Sequence, residues 1–180
     1  RTGQNWIGGA ASSPRDADFV PPPPEEVPPL LEDLCRFLAR DDLPAVVQAA
    51  IAHAQFETIH PFADGNGRVG RCLIHIVLRR RGTAPRYVPP VSLILATDPK
   101  AYVGGLTDYR ASRVADWCGV FAAATRTAAR EARRFAGLVE KLQAAWRARA
   151  GEPRADSAAS KIISLLPGHP LLDVSTAESI

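Results

Sequence analysis

The 180-residue chain contains no methionine, and aromatic residues make up only 7% of it. Its three cysteines, Cys35, Cys72 and Cys118, are odd in number and scattered through helical contexts. That pattern excludes a disulfide framework and fits reduced thiols, hence a cytoplasmic expectation. No apolar run approaches the roughly 18–20 residues of a membrane span, and no secretory leader is visible. His53, His60, His75 and His169 show no metal-binding spacing. No Gly-x-x-x-x-Gly-Lys-Ser/Thr loop occurs, which excludes a Walker-type phosphate site. The net charge of +3 is carried largely by an arginine-rich stretch, Arg126 to Arg154. Interspersed Glu131, Glu140 and Glu152 make that stretch a solvated helix face rather than a nucleic-acid surface.

What is present is concentrated in twelve residues, His60-Pro61-Phe62-Ala63-Asp64-Gly65-Asn66-Gly67-Arg68-Val69-Gly70-Arg71. Gly65-Asn66-Gly67 ahead of the apolar-rich run Cys72 to Leu78 reads as a loop opening a helix, where backbone N–H groups and the helix dipole favour an anion. Arg68 and Arg71, at i and i+3, share one helix face and can fork onto adjacent phosphates. Asp64 is a hard oxygen ligand suited to a magnesium ion already carried by phosphates. His60 is the nearby group able to take a proton near neutral pH. Base and anion nest together describe a polyphosphate clamp.

These residues resemble the signature of the Fic domain family, His-x-Phe-x-Asp/Glu-Gly-Asn-Gly-Arg-x-x-Arg, with every fixed position filled. The resemblance implies a protein adenylyltransferase that moves AMP from ATP to a Ser, Thr or Tyr hydroxyl of a target protein and releases pyrophosphate. It implies that His60 deprotonates the attacking hydroxyl and that Asp64 holds Mg²⁺. Gly65, Asn66 and Gly67 hold phosphates through backbone and amide, Arg68 and Arg71 neutralise the β- and γ-phosphates, and Phe62 points into the core. It further implies a β-hairpin flap over residues 1–20, with Asn5, Trp6 and Ile7 receiving the target segment. Tyr102 lies in the helix that lines the adenine pocket; Val103 stands where the family often has a second tyrosine. Other chemistries of the same fold stay open: AMP removal, transfer of phosphate, phosphocholine or another nucleotide, or a nucleotide-sensing DNA-binding regulator.

The expected fold is all-α, a Fic-type helical bundle with the small hairpin at its N-terminal end. The resemblance implies a Fic domain over residues 1–150, divided into the flap at 1–20, a Pro-rich connector at 21–29 and a helical core at 30–150. Apolar spacing predicts helices through Leu30–Leu38, Val46–Gln55, the signature to about Arg81, a short segment Val91–Leu95, Pro99–Arg110 and about Asp116–Ala150. Gly104 and Gly105 weaken the Pro99 helix by about 1 kcal/mol each. Residues 151–180, with apolar runs Ala158–Leu166 and Leu172–Ile180, resemble the opening of a winged-helix module cut short. DNA contact is therefore expected only through a segment beyond Ile180, and self-association stays open. The inhibitory Ser/Thr-x-x-x-Glu-Gly/Asn helix of many relatives has no convincing match. Thr127 to Glu131 is followed by Ala132 and Glu178 is preceded by Val174, so such a helix is expected upstream.

Overall fold

A computed structural model describes residues 1–9, 13–87, 89–169, 171 and 173–175. Those residues are mostly helical: α1 (Val27–Leu38), α2 (Ala45–Ile59), α3 (Asn66–Arg80), α4 (Val91–Thr97), α5 (Pro99–Arg110), α6 (Val114–Arg149) and α7 (Ala158–Leu165), with short 3₁₀ turns at Pro14–Asp16 and Pro24–Glu26. The chain divides into two compact units, residues 1–129 and 130–180, with the division inside α6.

The first unit is built around α2. Ala49, Ala50, Ala52 and Ala54 are fully buried, so neighbouring helices approach it from several sides without large side chains intervening. Its most extensive partner is α3. Gln48, also fully buried, ties three helix ends together. Its Nε2 donates to the carbonyls of Phe37 and Leu38 in the last turn of α1 and of Arg40 just beyond it, at 3.1, 3.3 and 2.8 Å, where helix carbonyls lack intrahelical partners. Its Oε1 accepts from Arg81 Nη1 at 2.7 Å, where α3 ends. That end is a Schellman turn: Thr83 N–H donates to Leu78 O, Gly82 N–H to Arg79 O, and Gly82 sits at φ 67°. From the other side α6 inserts Trp117 and Phe121, both fully buried, and the Trp117 indole donates to Ala50 O at 2.8 Å. Truncating either aromatic to alanine would cost about 3–5 kcal/mol.

Three features depart from the sequence-based expectation. The connector is shorter, because Pro28 and Pro29 lie in the first turn of α1, where N–H groups have no intrahelical partner and proline removes nothing. The flap hairpin is not formed as two strands. Among the described residues the two runs meet in one isolated antiparallel bridge, Ile7 with Phe19. Positive φ at Gly8 and Gly9, followed by the Pro14–Asp16 turn, takes the backbone out of the ladder on either side. The expected apolar side of the last helix also splits. Trp117 and Phe121 are core, whereas Phe135, Leu138 and Leu142, in the second unit, are exposed.

In that second unit α7 is capped by Ser157 Oγ, which accepts from Ser160 N–H. Arg147 Nη1 and Nη2 donate to Ser160 Oγ and Ser164 Oγ, each at 3.2 Å, and Gln143 donates to the carbonyls of Ile163 and Ser164. The helix expected across Leu172–Ile180, with Glu178, lies mostly outside the described residues, as does Ser12 of the expected flap turn.

The α5 glycine pair behaves in two different ways. A Cβ on Gly105 would lie 2.6 Å from Trp117 Cε3, so this glycine is where α5 and α6 touch, whereas a Cβ on Gly104 would meet nothing within 4 Å. Gly104→Ala is expected to stabilise the protein by about 0.5–1 kcal/mol through helix propensity. Gly105→Ala is expected to destabilise it by about 1–3 kcal/mol through overpacking. Urea unfolding of the two variants checks the opposite signs.

Candidate active site

The site is assembled where α2 stops and α3 starts. Helix α2 ends on His60, whose backbone turns left-handed at φ 49°, ψ 57°. A non-glycine residue there costs about 1–3 kcal/mol and turns the chain back across the end of α2. His60 is half-buried with its Nδ1 sealed from solvent and without a hydrogen-bond partner. Burial pushes its pKa below the ordinary 6.5, and the charges of Arg1 and Arg110 push the same way against a backbone contact to Glu57. The imidazole is therefore neutral near pH 7 and free to accept a proton.

The loop from Pro61 to Gly65 is held by Asn66. Phe62 N–H donates to Asn66 Oδ1 at 2.8 Å, and Asn66 Nδ2 donates back to Phe62 O at 2.7 Å. Asn66 is only 3% exposed. Its amide thus braces the loop, and what this position offers an anion is its backbone N–H at the start of α3. Phe62, expected in the core, is 44% exposed and leans against Phe56 with ring centroids 6.1 Å apart. The reciprocal Asn66 bonds fix the backbone of Phe62 at the surface, so its ring covers Phe56 from outside rather than filling an interior gap.

Helix α3 begins after Gly65 (φ 89°) with no side-chain cap, leaving its first N–H groups for a ligand. These residues surround a cavity of about 300 Å³ lined by His60, Ala63, Asp64, Gly65, Asn66, Gly67, Arg68 and Arg71. The sequence-predicted base, carboxylate, nest and both guanidinium groups thus share one cavity. Asp64 is paired in it: Oδ1 accepts from Gly65 N–H at 2.6 Å and Oδ2 from Arg68 Nη2 at 2.9 Å. Both partners are largely exposed, so this pair adds little stability and exchanges readily for a ligand.

A second, more apolar cavity of about 530 Å³ lies alongside, bounded by His53, Ser92, Leu93, Leu95, Pro99 and Tyr102. Arg71 lines this cavity as well as the first. Tyr102 OH lies 3.0 Å from His53 Nε2, and His53 stacks on Trp117 at 6.1 Å and 29°. Of the expected flap residues, Asn5 faces the loop, donating to Phe62 O at 2.9 Å, while Ile7 makes the bridge to Phe19. Arg1 adds a further tie, its Nε donating to His60 O at 3.2 Å.

Sequence reasoning missed two charged residues. Glu57 sits in α2 one turn before His60 and is 6% exposed. Arg110 ends α5 with its guanidinium 3.7 Å from the centre of the Phe19 ring, a cation–π contact. The available signal for Glu57 was its isolation: between Pro44 and Ala63 it is the one acidic residue, in a helix otherwise suited to burial on every side.

The Fic/DOC family model matches residues 1–78. Residues 1–78 carry a Fic/DOC family domain. The chain is 46% identical over 67 residues to a probable protein adenylyltransferase of Aquifex aeolicus, covering 37% of this chain and 21% of that protein. It is 35% identical over 99 residues to a protein adenylyltransferase of Caenorhabditis elegans, covering 51% and 18%, and 35% identical over 92 residues to one of Drosophila melanogaster, covering 49% and 17%. The chain spans about a fifth of the length of these curated relatives. A crystal structure of a Fic family protein from Desulfovibrio desulfuricans G20 superposes with a TM-score of 0.65 at 24% identity, over 99% of this chain and 52% of that one, a likeness of fold. No helix among the described residues is long and apolar enough to cross a membrane.

His53, enclosed among Tyr102, Trp117 and the Gly70 backbone of the Fic domain, has its pKa lowered from 6.5 to about 4, chiefly by burial. The unfolded chain then binds a proton through pH 6.5 that the folded chain refuses until about pH 4, so this stability contribution is lost as pH falls across that window. The slope reaches at most about 1.4 kcal/mol per pH unit. His53→Gln, which keeps an acceptor for Tyr102, is expected to show a flatter decline in urea unfolding between neutral pH and the lower end of the window. Parallel declines for both proteins would remove His53 as the cause.

Proposed function

We infer that the chain contains the catalytic core of a protein adenylyltransferase, transferring AMP from ATP to a Ser, Thr or Tyr hydroxyl of a target protein. The observation that carries this reading is Arg71 lining both cavities at once. A cationic polar cavity joined through one arginine to a larger apolar one suits a molecule with a phosphate chain at one end and a planar base at the other. Triphosphate oxygens take the α3 N–H groups, Arg68 and Arg71, and the base takes the apolar cavity beside Tyr102. The adenylyltransferase relatives support the choice of ATP.

In the reaction His60 accepts the hydroxyl proton as the oxygen attacks the α-phosphorus. The bond from that phosphorus to the bridging oxygen of the β-phosphate breaks, and pyrophosphate leaves with its charge neutralised by the two arginines. Magnesium fits as a group held mostly by substrate phosphates. Asp64 supplies one accessible carboxylate, and among the described residues no three His, Cys, Asp or Glu side chains converge as a dedicated cage. When bound, the ion neutralises phosphate charge, and Asp64 would release Arg68 to hold it. Asn5, Trp6 and Ile7, tied to the signature loop through Asn5, form the edge along which a target segment lies. A cytoplasmic location accords with three free cysteines, two of them exposed. A winged-helix-like continuation from α7 and self-association belong to the same reading.

His60→Ala is expected to lose about 10²–10⁴ in the rate of AMP transfer with little change in nucleotide affinity, the signature of a lost general base. Because the His60 pKa lies below 6.5, the wild-type rate should rise with pH to a plateau already reached near neutrality. Labelling of a target by radioactive ATP across pH checks both points. Undiminished labelling by His60→Ala would sink the assignment.

A further inference from the structure

The buried carboxylate of Glu57 belongs to no part of the signature, yet it lies directly behind it. Helix α2 presents it to the glycine face of α3. A Cβ on Gly70 would overlap Glu57 Oε1 and stand 3.2 Å from its carboxyl carbon. A Cβ on Gly67 would lie 4.0 Å from the same oxygen and 3.0 Å from Arg71 Nη1. Gly67 and Gly70, at i and i+3, therefore open a shallow groove in α3 that holds the carboxylate, with the Arg71 guanidinium at its rim. Glu57 Oε1 has no hydrogen-bond partner, and the charged groups acting on the carboxylate are Arg71 of α3 and Arg110 of α5. The site's other carboxylate, Asp64, is exposed and engaged with Arg68.

An arginine side chain on a helix surface sweeps many rotamers, and one that must meet a terminal phosphate gains from a fixed counter-charge behind it. We propose that Glu57 is a positioning residue that holds Arg71 across the junction of the two cavities and so sets the preference for a nucleoside triphosphate over a diphosphate. The position of the carboxylate explains why Gly70, which the signature leaves free, is glycine here: any side chain would drive Glu57 out of the groove. The proposal rests on reading Arg71 as the partner of the γ-phosphate, and the test separates the two.

Calorimetric titration with ATP and with ADP is carried out on the wild-type protein, Glu57→Gln, Arg71→Ala and the double variant, at a pH well above the carboxyl's titration. Thermal melting reports which variants are folded. The ratio of ATP to ADP affinity is the readout, since a purely structural loss weakens both nucleotides alike. Glu57→Gln is expected to lower that ratio about 3–10-fold, and the double variant to fall no further than Arg71→Ala alone, because Glu57 acts only through Arg71. Glu57→Asp withdraws the charge by one methylene, serves if the glutamine variant does not fold, and is expected to lower the ratio by a smaller factor. An unchanged ratio in a folded Glu57 variant, while Arg71→Ala lowers it, or additive losses in the double variant, overturns the proposal. An unchanged ratio in Arg71→Ala overturns the γ-phosphate reading itself, and the proposal with it.

Discussion

The closeness of α2 and α3 at Gly70 is the constraint on which the site depends. With a side chain there the Glu57 carboxylate would be displaced and His53 Nδ1 crowded, directly behind the six-residue loop from His60 to Gly65 that joins the two helices. Two neighbouring arrangements keep the pair closed. Gln48 ties the far ends of α1 and α3 through carbonyls and Arg81, and Trp117 anchors α6 to the middle of α2 through Ala50 O. The buried alanines make room for these contacts, so the core uses small residues where the helices must touch and aromatics where the space widens.

The signature cavity was legible because its chemistry is contiguous. Six of its residues run from Ala63 to Arg68, and a turn followed by a helix is enough to bring them together. The bounds of α5 were legible for a similar reason: Asp98 caps the helix by accepting from Ala101 N–H, Pro99 opens it, and both signals are local. What escaped was tertiary. The short apolar, β-prone runs around Ile7 and Phe19 suggest strands, but a ladder needs several residues in register, and positive φ at Gly8 and Gly9 leaves one bridge among the described residues. Gly105 reads as a helix weakener until the Trp117 ring is seen against it. Asn66 reads as a ligand-binding amide until both of its polar atoms are found on Phe62.

Electrostatically the site is layered. Exposed charges on the rim, Asp64 and Arg68, hold one another weakly. Behind them Arg71 spans two cavities, and deeper still Glu57, His53 and Tyr102 are groups whose burial favours their neutral forms. Burial raises the Glu57 carboxyl pKa while the facing arginines oppose that shift, so its charge depends on the company it keeps. A ligand that draws Arg71 outward would change that company.

The left-handed backbone at His60 carries an implication for how such a protein can change. Glycine would occupy that conformation without strain, and asparagine nearly so, whereas an imidazole sits there against its own steric preference. The backbone is therefore strained at the residue proposed above as the general base. On the proposed role of His60, glycine there would relax the backbone by about 1 kcal/mol while removing the group that takes the proton. On that reading, the demands of the reaction and of an unstrained backbone meet at a single φ angle.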